Sequence, residues 1–433
     1  LSMSHPRGFR ARCRRLRLEC LERRELFDAS PWHNSAFPED VDGDSQLSPL
    51  DALVVINDIN GQVDRRSGEG EPSLYPDVDN DYGVTPLDVL AVINAINAAN
   101  DEVCYPGQQT IHLGGGDYVF DEVGTIFFEA ALPEISSDIV INGANGARLI
   151  RDISSPLMRI IFVTPTGRLT LNSVAVELGS NGGEGGNIYN EGYLELNNVT
   201  IKNGQGNSGG GIFTTSDVVM QNSIIEQNTS TVGGGMYVRA GTTRIANSSF
   251  IDNQTSGDGA GLFVSGGGVS IVNTTFSGNI APGVGAIYSE GTLSLSFVTV
   301  AFNTSSGGFS GGISIQGGTT DIRNSIVSNN SGGNCLGSYN SLAGNFSQDD
   351  TCGGFAIVVI GLESSLNYDS GLPVHRLVPG SGVIDMLSDC LAVNGSTISS
   401  DERGRARPLD GDDSTTNECD PGAVEYDFSI DNP

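Results

Sequence analysis

Gly233-Gly234-Gly235-Met236-Tyr237-Val238, with Asn247-Ser248-Ser249-Phe250-Ile251-Asp252-Asn253 behind it, is restated 26 residues later. The second copy reads Gly259-Ala260-Gly261-Leu262-Phe263-Val264 and Asn273-Thr274-Thr275-Phe276-Ser277-Gly278-Asn279. The same unit extends both ways, from about Gly185 to Asn330. The apolar residues that follow the glycine clusters are Ile188, Ile212, Met236, Leu262, Ile287 and Ile313, at intervals of 24, 24, 26, 25 and 26 residues. Ala286 stands once for the glycine. The second signature, Asn-x-x-(Phe/Ile/Val)-x-x-Asn, recurs as Asn222-Ile225-Asn228, Asn247-Phe250-Asn253, Asn273-Phe276-Asn279 and Asn324-Val327-Asn330. In one copy Phe297 replaces the first Asn, ahead of Val300 and Asn303. A fixed period of this length marks a repeat architecture.

Leu194-x-Leu196, Val218-x-Met220, Ile245, Val269-x-Ile271, Leu293-x-Leu295 and Ile322 recur at the same period. They predict two or three short strands per turn. Stacked in register, such turns form a right-handed, single-stranded parallel β-helix, and the fold class is mainly β. At about 4.8 Å per turn, about ten turns make a rod of about 50 Å. Alternate apolar residues would then share one continuous core, with Phe250 stacked on Phe276. The asparagines fall at equivalent bends, where Asn tolerates a left-handed backbone and its amide can reach the turn above. They read as structural residues and not as ligands.

The Gly-Gly-x-Ile and Phe-x-x-Asn signatures resemble the repeats of polymorphic outer-membrane proteins and related secreted parallel β-helix proteins. Upstream, Ile139-x-Ile141, Leu149-Ile150, Ile160-Ile161-Phe162-Val163 and Leu169-x-Leu171 read as irregular first turns of the same structure.

Ahead of the β region the sequence changes character. Asp40, Asp42, Asp44, Gln46, Ser48 and Asp51 take positions 1, 3, 5, 7, 9 and 12 of a twelve-residue loop, with oxygen side chains at 1, 3, 5, 9 and 12. Asp77, Asp79, Asp81, Gly83, Thr85 and Asp88 repeat it 37 residues on. This is the spacing of an EF-hand-type loop, whose hard oxygen donors suit Ca²⁺, with position 7 giving a backbone carbonyl. Ser48-Pro49-Leu50-Asp51 and Thr85-Pro86-Leu87-Asp88 supply a hydroxyl N-cap, Pro at N1 and an acid at N3, so each loop runs into a helix. Leu53, Ile56 and Ile59, and Leu90, Ile93 and Ile96, give each helix an apolar face. The pair resembles a type I dockerin, the small calcium-dependent module that docks onto cohesin domains. That resemblance implies two bound Ca²⁺ ions and a cohesin-like partner. Ser45 and Tyr82 stand where the loop normally has Gly, and Pro-Leu follows position 9 in both copies, where cohesin-binding dockerins usually carry polar residues. Calcium binding carries over better than cohesin binding.

The predicted organisation is a basic leader and linker over 1–38, the dockerin-like module over 39–102, the β-helix over 103–350 and a C-terminal cap over 351–433. Within the leader, Arg14 to Phe27 resembles the Leu-Glu-x-Arg-x-Leu leaders of large secreted bacterial proteins; a surface amphipathic helix explains the pattern equally. In the last segment, Asp401-Glu402-Arg403-Gly404-Arg405-Ala406-Arg407-Pro408 and Asp420-Pro421-Gly422-Ala423-Val424-Glu425 resemble the choice-of-anchor Q ending of bacterial surface β-helix proteins. A polar cap would close the open strand edge of the helix. Arg403, Arg405 and Arg407 then read as members of an ion-pair network, since charges in a packed segment are normally paired; an anion site is the other reading.

Of 433 residues only 17% are charged, 59 are Gly, and the net charge is −30. Such a chain repels nucleic acid and anionic membranes, and no apolar run is long enough to span a bilayer. Lys202 is the sole lysine, so the glycine runs hold no phosphate-binding Gly-Lys-Ser/Thr motif. Seven cysteines include no Cys-x-x-Cys. The simplest pairing is Cys335–Cys352 and Cys390–Cys419, which implies an oxidising compartment; four unpaired thiols are the alternative.

Asp217, Arg239 and Arg244 are candidates to meet across adjacent turns, and His112 and His375 lie outside the regular repeats. No serine-triad signature occurs. The sequence therefore reads as a secreted or cell-surface, calcium-binding bacterial protein, a non-catalytic adhesion or glycan-binding scaffold whose partner is extracellular polysaccharide or a surface protein. The alternative is a polysaccharide lyase or glycoside hydrolase attached through the dockerin-like module. An elongated surface lined by acids and aromatics favours the enzyme; a featureless polar rod favours the scaffold.

Overall fold

The structure, a computed structural model, describes residues 108–120, 130–368, 371–411 and 417–431. The leader and the loop-helix module, with all twelve expected calcium ligands, lie outside the described residues, as do Cys13, Cys20 and Cys104.

Every laddered strand pair in the rod is parallel, and each strand pairs with its counterpart one repeat away. Met236 sits between Ile212 and Leu262, and Phe250 between Ile225 and Phe276. The result is a parallel β-solenoid of about eight turns. A long sheet runs from Gln109–Leu113 to Ala356–Ile357, a second sheet has eight strands from Ile161–Val163 to Cys335–Gly337, and a short four-stranded sheet spans Thr229–Ser230 to Thr304–Ser305. The expectation of about ten turns counted end levels that exist only in the long sheet.

Three columns fill the interior. Ile188, Ile212, Met236, Leu262, Ile287 and Ile313 form one; Leu196, Met220, Ile245, Ile271, Leu295 and Ile322 a second; Ile201, Ile225, Phe250, Phe276, Val300 and Val327 a third. All are fully buried. Each contributes about 1.5–3 kcal/mol by leaving water. The Phe250 and Phe276 rings stack at 4.6 Å and 9°, as the sequence predicted.

The two asparagines of each repeat do different work. Asn222, Asn247, Asn273 and Asn324, the first of each pair, have φ between 45° and 53° and turn the long sheet through its bend. The second of each pair is buried in a continuous amide ladder. Asn228, Asn253, Asn279 and Asn303 each donate to the next side-chain oxygen, of Asn253, Asn279, Asn303 and Asn330, at 2.8–3.0 Å. Each also donates to a carbonyl of the preceding turn, from Ile201, Ile225, Phe250 and Phe276. The glycine corner tolerates no side chain: at Gly209, with φ +64°, a Cβ would lie 2.2 Å from the Ile212 carbonyl oxygen.

The segment expected as a cap divides. Ala356–Ile357 adds the last strand of the long sheet, with Cys352 and Phe355 in the core of the rod, and the chain beyond lies back along one flank as a strap. Between Asp389 and Glu402 it steps backward a turn at a time. Asp389 pairs with Arg323 at 2.9 Å, Val393 N–H donates to Ser296 at 2.9 Å, Asn273 donates to the Ser400 carbonyl at 2.7 Å, and Glu402 accepts from Ser249 at 2.8 Å and Thr275 at 2.6 Å. Phe297 packs against this strap. It keeps the left-handed backbone of the asparagines it replaces, φ 55°, but puts an apolar ring on the flank. That ring is fully buried in a cluster with Ile326, Phe346, Leu377, Val383 and Tyr426, and the Arg407 guanidinium lies 4.3 Å from its centre. Both expected disulfides are present: Cys335–Cys352 closes the last turn and Cys390–Cys419 crosses the strap.

Candidate functional site

The second sheet also carries a row of side chains on the face turned away from the core. In six of the eight strands of the second sheet, the residue after the buried apolar one is aromatic: Phe162, Tyr189, Phe213, Tyr237, Phe263 and Tyr288; Ser314 and Leu336 end the row. Parallel register stacks them on successive turns, with centroids 4.6–5.3 Å apart. The Arg159 guanidinium covers the Tyr189 ring at 4.8 Å. Acids stand beside the rings: the Tyr189 hydroxyl donates to Glu191 at 2.7 Å and that of Tyr288 to Glu290 at 2.9 Å. Partial burial, then the bonded carboxylate, pushes both phenols up to about 12, so they stay donors. The signal was legible as the repeated apolar-aromatic pair.

On the long sheet beyond the bend, register sets Glu177, Lys202 and Glu226 side by side on three successive turns. Glu177 is 3% exposed at its side chain; it takes two 2.9 Å hydrogen bonds from Arg148 and lies 3.5 Å from the Lys202 ammonium. Burial raises Glu226 above the usual carboxyl range, the Lys202 charge opposes this, and Asp252 and Glu177 add to it. Burial likewise raises Asp252. Tyr368, half exposed on the C-terminal segment, is raised first by burial and then by the charges of Glu226 and Asp252. Raised carboxyls beside an ammonium and a phenol can hold and exchange protons nearer neutral pH than free carboxylates do.

The candidates named from sequence do not assemble. Asp217 accepts from the backbone N–H of Thr242 at 2.8 Å, while Arg239 and Arg244 are exposed and form no ion pair with it. His375 is buried, with one ring nitrogen 2.7 Å from the Ser277 hydroxyl and the other 2.7 Å from the Glu363 carbonyl. Burial lowers its pKa to about 4, so it is a neutral structural residue. The three arginines do form an ion-pair network. Arg403 meets Asp401 at 2.9 Å and Asp431 at 3.3 Å, Arg405 meets Asp431 at 3.4 Å, and Arg407 meets Glu425 at 3.2 Å. Among the described residues no group of His, Cys, Asp and Glu side chains has the arrangement of a metal site.

The chain is thus a parallel β-solenoid with a strap along its flank. Residues 38–97 match the family model of the dockerin type I domain, so a dockerin type I domain precedes the solenoid. Dockerin type I domains bind calcium, dockerins bind cohesins, and the proteins that carry them are typically extracellular or cell-surface bacterial proteins. Among solved structures, the chain is similar to one described as "Crystal structure of pectate lyase Pel9A", with 15% identity, 76% of this chain and 90% of that chain covered, and a TM-score of 0.43. No curated protein matches the chain. No helix among the described residues is long and apolar enough to cross a membrane.

Proposed function

We propose that this is an extracellular, dockerin-attached protein acting on polysaccharide, and that degradation, not passive adhesion, is its role. The observation that carries the reading is the dockerin type I match at 38–97 ahead of a solenoid whose outer surface bears the elongated array of aromatics and acids that favours an enzyme. The Glu177, Lys202, Glu226 and Asp252 patch is where proton-transfer chemistry is best supplied. Asp40, Asp42, Asp44, Gln46, Ser48 and Asp51 hold one Ca²⁺, and Asp77, Asp79, Asp81, Gly83, Thr85 and Asp88 a second, in a module occupying 39–102. The β-helix occupies 103–350, and 351–433 follow as a segment resembling the choice-of-anchor Q ending.

A depolymerisation screen over neutral and acidic polysaccharides tests this. We expect new reducing or unsaturated ends that fall at least a hundredfold in Lys202→Ala and Glu226→Gln. Retention of polymer without any new ends would return the reading to a glycan-binding scaffold; neither retention nor cleavage would remove both.

A further inference from the structure

The bend asparagines have two fates. Where the strap covers the rod, their amides donate to strap carbonyls: Asn273 to Ser400 at 2.7 Å and Asn324 to Leu391 at 2.9 Å. Where no strap carbonyl meets the amides, the same row continues through Asn247 and Asn222 to Asn198. There it lines a cleft of about 270 Å³ between strap and rod. The Asn222 side chain makes no hydrogen bond. Asn247 accepts from Asn273 at 3.2 Å, but its own NH₂ is free. Asn198 donates to Ser173 at 3.0 Å, which leaves its oxygen open. Ile224 and Leu372 pack together on the apolar wall. The ionisable groups at the cleft are already partnered: Arg403 pairs with Asp401 and Asp431, and the buried Glu402 carboxyl is hydrogen-bonded to the Ser249 and Thr275 hydroxyls.

We propose that this cleft binds a short stretch of neutral saccharide, which supplies to Asn222 and Asn247 the oxygens that the strap supplies to Asn273 and Asn324. A sugar offers the required combination: hydroxyls that donate and accept at the spacing of the turns, and a C–H face for Ile224 and Leu372. An anionic sugar would find no free cation here. The inference rests on the polysaccharide reading above, and gives it a specific subsite.

Calorimetry on the full chain with cellotetraose, xylotetraose, mannotetraose and trigalacturonate tests it. Glycine at 222 keeps the left-handed backbone and removes only an amide that bonds nothing else in the chain. We expect at least one neutral tetrasaccharide to bind, and Asn222→Gly to weaken it at least tenfold while the thermal midpoint and circular dichroism hold. Asn222→Asp, which swaps the donor for a charged acceptor, should weaken it similarly. No binding by any neutral probe, tighter binding of trigalacturonate, or unchanged affinity in the glycine variant would each overturn the assignment. If polymer cleavage or retention survives unaltered in that variant, the cleft fails and the polysaccharide reading stands.

Discussion

Asn279 is the sharpest test of what holds the turns together. It is fully buried and stands in the middle of the amide ladder. Its oxygen accepts from the side chain of Asn253 at 3.0 Å and from that residue's backbone N–H at 3.1 Å. Its NH₂ donates to Asn303 at 2.8 Å and to the Phe250 carbonyl at 2.9 Å. Asn279→Ala removes all four bonds. The Asn303 oxygen keeps a donor, the backbone N–H of residue 279. The two Asn253 protons have no replacement, and water cannot reach them. At about 1–3 kcal/mol for each orphaned buried donor, the loss is about 2–6 kcal/mol. The position keeps a negative neighbourhood of carbonyls, so Asp is no remedy: a charged carboxylate would face the Phe250 oxygen. The assay is guanidinium denaturation followed by circular dichroism, with native-state hydrogen exchange on peptides spanning 222–303, because a repeat array can open locally. Exposed Gln254→Ala on the neighbouring turn, next to Asn253, is the control and should cost under about 0.5 kcal/mol. A loss of less than about 1 kcal/mol at Asn279, or unchanged exchange at Asn253, would mean that the ladder is incidental to stability.

Other outcomes follow from the strap and the calcium module. Burial holds the Glu402 carboxyl well above its usual range, so its proton is bound more tightly in the folded chain than in the unfolded one. Its contribution is full below about pH 4.5, the unfolded value, and is lost as pH rises toward the folded pKa; Glu402→Gln should remove that part of the decline in a melting series across pH. Phe297→Asn restores the repeat signature yet should free the strap, at a local cost of about 3–5 kcal/mol for the lost ring, read as faster proteolysis over 381–426 with the rod intact; equal resistance would show that Phe297 is not the anchor. Calorimetry of the full chain should give two Ca²⁺ per molecule, falling to one in Asp77→Ala; no heat at all would end the calcium assignment at 40–51 and 77–88.

The solenoid was legible because its period, its buried columns and its bends are each repeated in the sequence. Met236 over Ile212, and Phe276 over Phe250, follow from spacing alone. The split between bend and ladder asparagines was hidden, since both are the same residue in the same motif and differ only in backbone angle and burial. The strap was hidden for another reason. It is not repeated, and its contacts join residues as distant as Ser249 and Glu402, 153 positions apart. The one local trace was Phe297, a break in the signature whose purpose appears only once the ring has a partner. The arginine network could be expected from unlike charges in one segment, but its setting on the flank could not. The patch around Lys202 depends on which residues fall side by side three turns running, and that needs exact register, not an approximate period.

The backward course of the strap bears on how the molecule is assembled. A bare solenoid grows by nearest-neighbour addition, each new turn templated on the last, and it can fray from either end. Here Asp389, Val393, Ser400 and Glu402 find their places only after the turns carrying Arg323, Ser296, Asn273 and Ser249 exist together. Docking is therefore a late step that samples several finished turns at once and fails if any is out of register. Such long-range closure is slow to form, but it binds the middle of the rod into one cooperative block. The chain proofreads its own winding with its final segment.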